Sequence, residues 1–154
     1  MAMTVVEPVF VDTNILVYAN TVSAPEHLTA QNQLQALIAG GVELWTSRQV
    51  LREYMATLTR VQTFTRPVPP AAIEIDIHRF EDQYEVAEDG PNVTVYLLKL
   101  LNTVAIGGKQ IHDANIVATM LAHNLTRLIT DNAADFHRFR SWIEVLPLAA
   151  TARN

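Results

Sequence analysis

Two short apolar stretches that end in acidic turns constrain the fold of this chain more than any other feature. Val9-Phe10-Val11 ends at Asp12, and Leu128-Ile129-Thr130 ends at Asp131. Short apolar runs bounded by turn residues are typical of strands covered on both faces, as in parallel sheets. Parallel strands need a crossover connection, which is usually a helix, so the intervening segments are expected to supply helices.

The segments between these strands do show helical periodicity, together with helix start and stop signals. Ser23-Ala24-Pro25-Glu26 has the spacing of a capping box, which predicts a helix from Ser23 to Gly40-Gly41. Ser47 predicts the cap of a helix that reaches about Arg60. Further helices are predicted at 14–20, 70–83, 92–105 and 111–124, and further strands at 42–46, 85–87 and 143–146. Strands alternating with helices predict an α/β sandwich around a mainly parallel sheet, in one domain covering residues 1–154.

Composition excludes several classes of function. The chain has no cysteine, which excludes a disulfide scaffold, a thiol nucleophile and cysteine-ligated metal sites. Its net charge of −5 argues against a broad basic surface for nucleic acid, whereas an enzyme that holds phosphates through metal ions needs clustered carboxylates instead. The apolar stretches are shorter than the ~20 residues that cross a bilayer, and residues 1–7 lack a secretory signal pattern. We therefore expect a cytoplasmic protein without a membrane association.

Four acidic residues stand where their side chains can meet at one edge of the sheet. Asp12 and Asp131 directly follow predicted strands, and the carboxyl ends of parallel strands line the crevice where ligands bind. Glu53 lies on the flank of the apolar stripe of its helix, and Asp113 lies in the first turn of another. Each also has an ordinary structural explanation, as a turn former, a solvated helix residue or a first-turn acid. The hypothesis of a common site therefore rests on all four together.

Four short motifs, spread over nearly the whole chain, carry a resemblance to a known family. They are Val9-Phe10-Val11-Asp12-Thr13-Asn14, Arg52-Glu53, His112-Asp113-Ala114-Asn115-Ile116-Val117-Ala118 and Leu128-Ile129-Thr130-Asp131-Asn132. In this order they resemble the PIN domain, in its VapC-type toxin branch. The resemblance implies a three-layer α/β/α sandwich and a metal-dependent endoribonuclease acting on RNA. It also implies a homodimer that is inhibited by a cognate antitoxin.

The resemblance further implies catalytic and metal-binding roles for carboxylates at four positions. The first three positions correspond to Asp12, Glu53 and Asp113. We place Asp131 at the fourth, with Asn132 and Asp135 as alternatives, because many relatives have the acid where this chain has Asn132. Thr13 and Asn14 resemble supporting residues that orient the first aspartate and contact the phosphate side.

The chemistry of phosphodiester hydrolysis suits such a cluster. Mg²⁺ or Mn²⁺ can lower the pKa of a bound water and neutralise the charge that develops on the phosphate, and hard ions prefer oxygen ligands. Crowded carboxylates repel one another, which raises their pKa values until a cation binds. We expect Asp12 and Asp113 to bind the metal most directly. Glu53 and Asp131 would complete the shell or polarise the attacking water.

Other polar residues receive subsidiary predictions. The candidate phosphate contacts are Arg48, Arg60, Arg66 and Lys109. Arg60 lies two turns after Glu53, so it is alternatively a partner of that acid. His112 has no second histidine at zinc-ligand spacing and is expected to pack or hydrogen-bond beside the site.

The sequence leaves two other functional classes open, and it also indicates one surface for a partner. A phosphatase of the haloacid dehalogenase type also begins with an aspartate after a strand, although it normally has a second acid where this chain has Asn14. A PIN-like fold retained only for binding is the other alternative. The helices on either side of the proline-rich turn at 67–70 predict an apolar groove that receives a helix of an antitoxin.

Overall fold

The computed structural model describes residues 5–148. Its central sheet confirms the predicted α/β sandwich. Its five strands are all parallel and lie in the order β3-β2-β1-β4-β5. The strands are β1 Val9–Val11, β2 Leu44–Ser47, β3 Glu85–Ala87, β4 Arg127–Thr130 and β5 Glu144–Pro147. The helices are α1 Thr13–Ala19, α2 His27–Ala39, α3 Arg48–Leu58, α4 Pro70–Gln83, α5 Pro91–Thr103, α6 Gln110–Ala122 and α7 Ala133–Phe136, followed by a 3₁₀ turn at His137–Phe139. The predicted domain of residues 1–154 includes two ends, 1–4 and 149–154, that lie outside the described residues.

The strand order reverses beside β1, and this reversal positions the site. From β1 the chain adds β2 and then β3 on one side, before it returns to place β4 on the other side of β1. Phe10 of β1 pairs with Trp45 of β2 and with Leu128 of β4. In open parallel sheets, such a switch point opens a crevice at the carboxyl ends of the two strands. Here these ends are followed directly by Asp12 and Asp131.

Burial of the central strand explains why the sheet has helices on both sides. Val9, Phe10 and Val11 have no solvent exposure, so successive side chains on both faces of β1 are covered. Helices of both layers contribute to the same core cluster, with Leu51 from α3 and Val117 from α6 among its buried members. At roughly 25 cal/mol per Å² of apolar surface, burial of such side chains is the main favourable term in folding.

Local capping signals place several helix ends as predicted. The hydroxyl Oγ of Ser47 accepts a hydrogen bond from the amide of Val50 at 3.2 Å, and α3 begins at the next residue after Ser47. Helix α4 runs over the predicted residues 70–83, with Pro70 at its first position, where proline costs no hydrogen bond. Gly41, with φ at +80°, lies in the left-handed region that ends helices such as α2.

The predicted capping box at Ser23 is wrong, because α2 begins four residues later, at His27. Residues 21–27 instead form two successive turns, in which Ala24 donates to the carbonyl of Thr21 and His27 donates to the carbonyl of Ala24. The ring Nδ1 of His27 also lies 2.8 Å from the carbonyl oxygen of Tyr18. Contacts with the end of α1 therefore set the start of α2, and these contacts are not visible in a four-residue pattern.

The connection from β4 to β5 contains the helical segment 133–139, which the sequence patterns did not predict. Phe136 and Phe139 of this segment are buried, with ring centroids 6.3 Å apart. Among residues 5–148, no helix combines the length and the apolar character that crossing a membrane requires.

Candidate active site

Three of the four predicted acids meet around one cavity at the switch point. Asp12, Glu53 and Asp113 all line this cavity, whose volume is about 380 Å³. They come from the end of β1, the middle of α3 and the first turn of α6, respectively. The structure thus brings together carboxylates that are far apart in the sequence, as the combined pattern predicts.

Asp12 is the most buried of these acids and is held on both oxygens. Its Oδ1 accepts from the amide of Thr13 at 2.8 Å, and its Oδ2 accepts from the hydroxyl of Thr130 at 2.7 Å. The residue is only 5% exposed, and burial raises its pKa from 3.8 to about 6. The two hydrogen bonds oppose that increase, whereas the negative charges of Glu53 and Asp113 add to it. An ionised Asp12 is therefore costly unless a cation offsets its charge.

Glu53 is fixed by two donors from different parts of the site. Its Oε2 accepts from the hydroxyl of Thr13 at 3.0 Å, and its Oε1 accepts from the side-chain amide of Gln49 at 3.0 Å. Thr13 thus holds Asp12 with its backbone and Glu53 with its side chain. This arrangement agrees with the prediction that Thr13 supports the first aspartate.

Gln49 connects α3 to α6 within the site, and sequence analysis missed it. Its Nε2 also donates to the carbonyl of His112 at 2.9 Å, and its Oε1 accepts from Asn115 at 2.7 Å. The residue is 8% exposed, in a helix where a glutamine is usually solvated. Its position four residues before Glu53, on the same helix face, is the signal that could have indicated it.

Asp113 lies half-buried in the first turn of α6. Burial raises its pKa, and the carboxylates of Asp135 and Glu53 raise it further, while Arg138 and His112 act in the opposite direction. Asp135 of α7 is therefore one of the charges that raise the pKa of Asp113. His112 itself is exposed, and its backbone carbonyl, rather than its ring, takes part in the hydrogen bonds of the site.

The three candidates for the fourth position occupy different places. All three are exposed, but Asn132 lines the cavity, whereas Asp131 and Asp135 do not. The Asp131 carboxylate accepts from the hydroxyl of Tyr18 at 3.2 Å, and its amide donates to the side chain of Asn14 at 3.1 Å. Asn14 therefore orients the segment after β4, which extends the supporting role predicted for it.

Of the four predicted phosphate contacts, only Arg60 lines the cavity. Its Nε donates to a backbone carbonyl one turn earlier at 3.0 Å, and no ion pair joins it to Glu53 within residues 5–148. Arg48 instead pairs with Glu81 at 2.8 Å and with Glu88 at 3.0 Å. The remaining two are Arg66 and Lys109, which are exposed.

The donor chemistry of the cavity fits a hard divalent cation, although the described part of the chain holds no preformed ligand cage. Within residues 5–148, no three aspartate, glutamate or histidine side chains are grouped closely enough to hold a metal ion as they stand. The carboxylates of Asp12 and Asp113 nevertheless have raised pKa values, to which neighbouring negative charges contribute. A cation bound among oxygen ligands would offset this surplus of negative charge.

Comparisons with known proteins agree with this arrangement. The model of the PIN domain family matches residues 9–141, a range that begins with β1 and includes all the candidate acids. Ribonuclease VapC24 of Mycobacterium tuberculosis is 30% identical over 131 residues, which cover 84% of this chain and 89% of that protein. The VapBC2 structure of Rickettsia felis, bound to a promoter DNA fragment, has a TM-score of 0.62 at 23% identity and covers 89% of this chain and 97% of that one. A toxin–antitoxin complex from Klebsiella pneumoniae has a TM-score of 0.63 at 21% identity, with coverages of 94% and 100%. This chain belongs to the PIN domain family.

Proposed function

We propose that this protein is a divalent-metal-dependent endoribonuclease that hydrolyses RNA phosphodiesters in the cytoplasm. The observation that carries the proposal is the meeting of Asp12, Glu53 and Asp113 around one cavity at the switch point of the sheet. Similarity to a protein named ribonuclease VapC24 supports the choice of RNA as substrate. The family match favours this activity over the phosphatase alternative. We further propose that residues 1–154 act as a single nuclease domain.

Asp12, Asp113 and Glu53 would hold the Mg²⁺ or Mn²⁺ ion, with Asp131 as the proposed fourth acid. When bound, the ion activates water and stabilises charge on the phosphate oxygens. The contribution of the chain is to hold its carboxylates in place. Thr13 and Thr130 fix both oxygens of Asp12, and thereby reduce the side-chain freedom that ligand binding would otherwise remove.

The proposed nucleophile is water rather than the ribose 2′-hydroxyl. In that reaction water attacks the phosphorus atom and the bond to the 3′-oxygen breaks, so the products carry a 5′-phosphate and a 3′-hydroxyl. We assign to Glu53 the role of accepting a proton from the attacking water. Two observations support this assignment: its carboxylate lines the same cavity, and two donors orient it.

The direct test uses purified protein, single-stranded RNA and analysis of the product ends. Cleavage should require Mg²⁺ or Mn²⁺, stop in EDTA and return with excess Mn²⁺. Asp12→Asn and Asp113→Asn should each lower the rate by several orders of magnitude, with folding checked by circular dichroism. Undiminished cleavage in excess chelator, or a cyclic phosphate product, would contradict the proposed chemistry. A folded protein that binds RNA without cleaving it would support the binding-module alternative.

We also propose that the chain is the toxin of a VapBC-type pair and forms a homodimer. The predicted apolar groove between α3 and α4 is present, with a volume of about 310 Å³ and a lining that includes Met55, Ile73 and Ile77. The Rickettsia felis structure contains VapBC2 and the Klebsiella pneumoniae structure is a toxin–antitoxin complex, which supports an antitoxin as a partner of this chain. We propose this groove as its docking site because of its apolar lining. The groove would take the apolar face of a partner helix.

Expression and co-purification test the toxin proposal. The intact chain should arrest growth, whereas Asp12→Asn should not. Met55→Glu should release the product of the neighbouring gene without changing cleavage, while Ile75→Glu, an exposed position of α4 outside the groove lining, should retain it. Light scattering after size exclusion should give twice the monomer mass. A harmless monomer without a bound partner would count against a toxin and favour a housekeeping nuclease.

A further inference from the structure

The loop between α3 and α4 contributes a second set of residues to the active-site cavity. Arg60, Gln62 and Phe64 line the same cavity as the three carboxylates. This loop therefore brings a cation, an amide and an aromatic ring to the place where the reaction is proposed to occur. The metal-binding acids do not account for these groups.

The loop is held in place by its own hydrogen bonds. The backbone amide of Gln62 donates to the carbonyl of Thr65 at 3.0 Å, and its side-chain amide donates to the carbonyl of Thr57 at 2.8 Å. At the far end, Val68 donates to the carbonyl of Leu58 at 2.8 Å. The side-chain amide of Gln62 thus ties the loop to the last turn of α3, so we assign Gln62 a structural role.

Phe64 offers an aromatic ring that is anchored but still accessible. The ring is half-buried and packs against the core, where it meets the ring of Tyr18 edge to face, with centroids 6.2 Å apart and planes at 70°. Tyr18 is itself oriented by its hydrogen bond to Asp131. A ring held in this way loses little further freedom when a planar ligand stacks on it.

Arg60 is the one basic residue that lines the cavity among residues 5–148. Within that part of the chain, no carboxylate lies at ion-pair distance from its guanidinium. Its Nε is bound to a backbone carbonyl, which leaves the two terminal nitrogens for a ligand. Since the three acids repel a polyanion, a cation at this position gives a phosphate group a favourable contact near them.

We propose that Phe64 and Arg60 form a nucleotide subsite beside the reacting phosphate, an inference that rests on the proposed ribonuclease function. Phe64 stacks on one unpaired base, and Arg60 binds the phosphate of a neighbouring nucleotide. A base inside a duplex has both faces covered by its neighbours, so the subsite selects single-stranded or looped RNA. Stacking on an aromatic ring tolerates every base, so we expect discrimination by strandedness to exceed discrimination by sequence.

The test measures binding rather than cleavage, in the Asp12→Asn protein with Mg²⁺ present. The probe is a fluorescein-labelled single-stranded RNA of about 12 nucleotides. The comparison is the same sequence held as a duplex in the stem of a hairpin. Phe64→Leu should weaken binding of the single strand about 5-fold or more, because base–aromatic stacking is worth roughly 1–3 kcal/mol. Phe64→Tyr should restore it. Arg60→Gln should weaken binding and reduce the slope of log affinity against log salt by about 0.7.

A matched control comes from the same loop. Val61→Ala changes an exposed side chain that does not line the cavity, so it should bind as the Asp12→Asn parent does. A scan with one abasic nucleotide at each position adds a coupling measurement. One abasic position should weaken binding to the parent strongly and binding to Phe64→Leu only slightly, because the partner ring is already absent.

The outcomes separate this inference from the proposed function. The subsite would be overturned if Phe64→Leu and Arg60→Gln bound the single-stranded RNA as tightly as the parent does, even if the intact protein cleaves RNA. The subsite would also be overturned if Phe64→Leu and Arg60→Gln released the antitoxin but bound RNA as the parent does. That result would assign this loop to a protein partner. Binding that depends on Phe64, in a protein whose intact form does not cleave RNA, would support the subsite and refute the nuclease proposal.

Discussion

Replacement of Asp12 by asparagine should change the stability of the fold in opposite directions at low and at neutral pH. In the folded protein the pKa of Asp12 is about 6, compared with 3.8 as its ordinary value, chiefly because the side chain is buried. A raised acid pKa means that the folded state binds the proton more tightly than the unfolded state does. The cost of ionising Asp12 is therefore fully present above about pH 6, and it falls with the pH until it disappears below the ordinary pKa of 3.8.

The size of the effect follows from the pKa and from one hydrogen bond. A tenfold difference in proton affinity is worth about 1.4 kcal/mol, so ionised Asp12 destabilises the fold by about 3 kcal/mol at neutral pH. Asparagine avoids that cost but places an amide nitrogen or oxygen where Oδ2 accepts from Thr130. If the nitrogen lies there, the hydroxyl of Thr130 loses its acceptor, which costs about 1 kcal/mol. We expect Asp12→Asn to be about 2 kcal/mol more stable than the parent at neutral pH and about 0.5 kcal/mol less stable near pH 4, where about 0.5 kcal/mol of the ionisation cost remains.

Urea unfolding at about pH 4, 6 and 7.5, in EDTA, measures this difference. Glu7→Gln is the matched control, because Glu7 is an exposed carboxylate outside the site. Its stability difference from the parent should not follow the same pH course. Addition of Mn²⁺ at neutral pH should stabilise the parent and not Asp12→Asn, since only a ligand that binds the folded state raises the free energy of unfolding. A difference between parent and Asp12→Asn that stays constant over this pH range would refute the reasoning.

Three further predictions concern residues that support or complete the site. Gln49→Leu should lower kcat about tenfold or more with little change in KM, because Glu53 and the carbonyl of His112 lose their common donor, and steady-state kinetics on one RNA measures this. Ser47→Ala should lower the free energy of unfolding by about 1 kcal/mol through loss of the α3 cap, while thermal melting detects the loss and cleavage at 25 °C stays unchanged. The variants to be compared in a single cleavage assay for the fourth acidic position are Asp131→Asn, Asn132→Ala and Asp135→Asn. We expect the largest loss at Asp131, and a larger loss at either of the others would move the fourth position there.

Local signals were sufficient wherever the physical cause is itself local. Pro70 predicts the start of α4 because its fixed φ suits the first helical position, and Ser47 predicts the start of α3 because its hydroxyl reaches an amide three residues ahead. Val9 to Val11 predicts a strand covered on both faces because the run contains no polar side chain. The order of strands and helices along the chain then predicts a parallel sheet, whose strand ends bring distant acids such as Asp12 to one edge.

Features that depend on residues distant in sequence had to come from the tertiary structure. Ser23 has the local pattern of a cap, yet contacts between α2 and the end of α1 set the helix start at His27. Gln49 resembles an ordinary helix glutamine until α6 packs beside it and supplies two of its hydrogen-bond partners. Likewise, only packing of the 59–69 loop shows that Phe64 lines the same cavity as the acids. Local preferences for a helix start or for a solvated side chain are worth about 1 kcal/mol each. Burial and long-range hydrogen bonds outweigh them, and no short window of sequence contains those interactions.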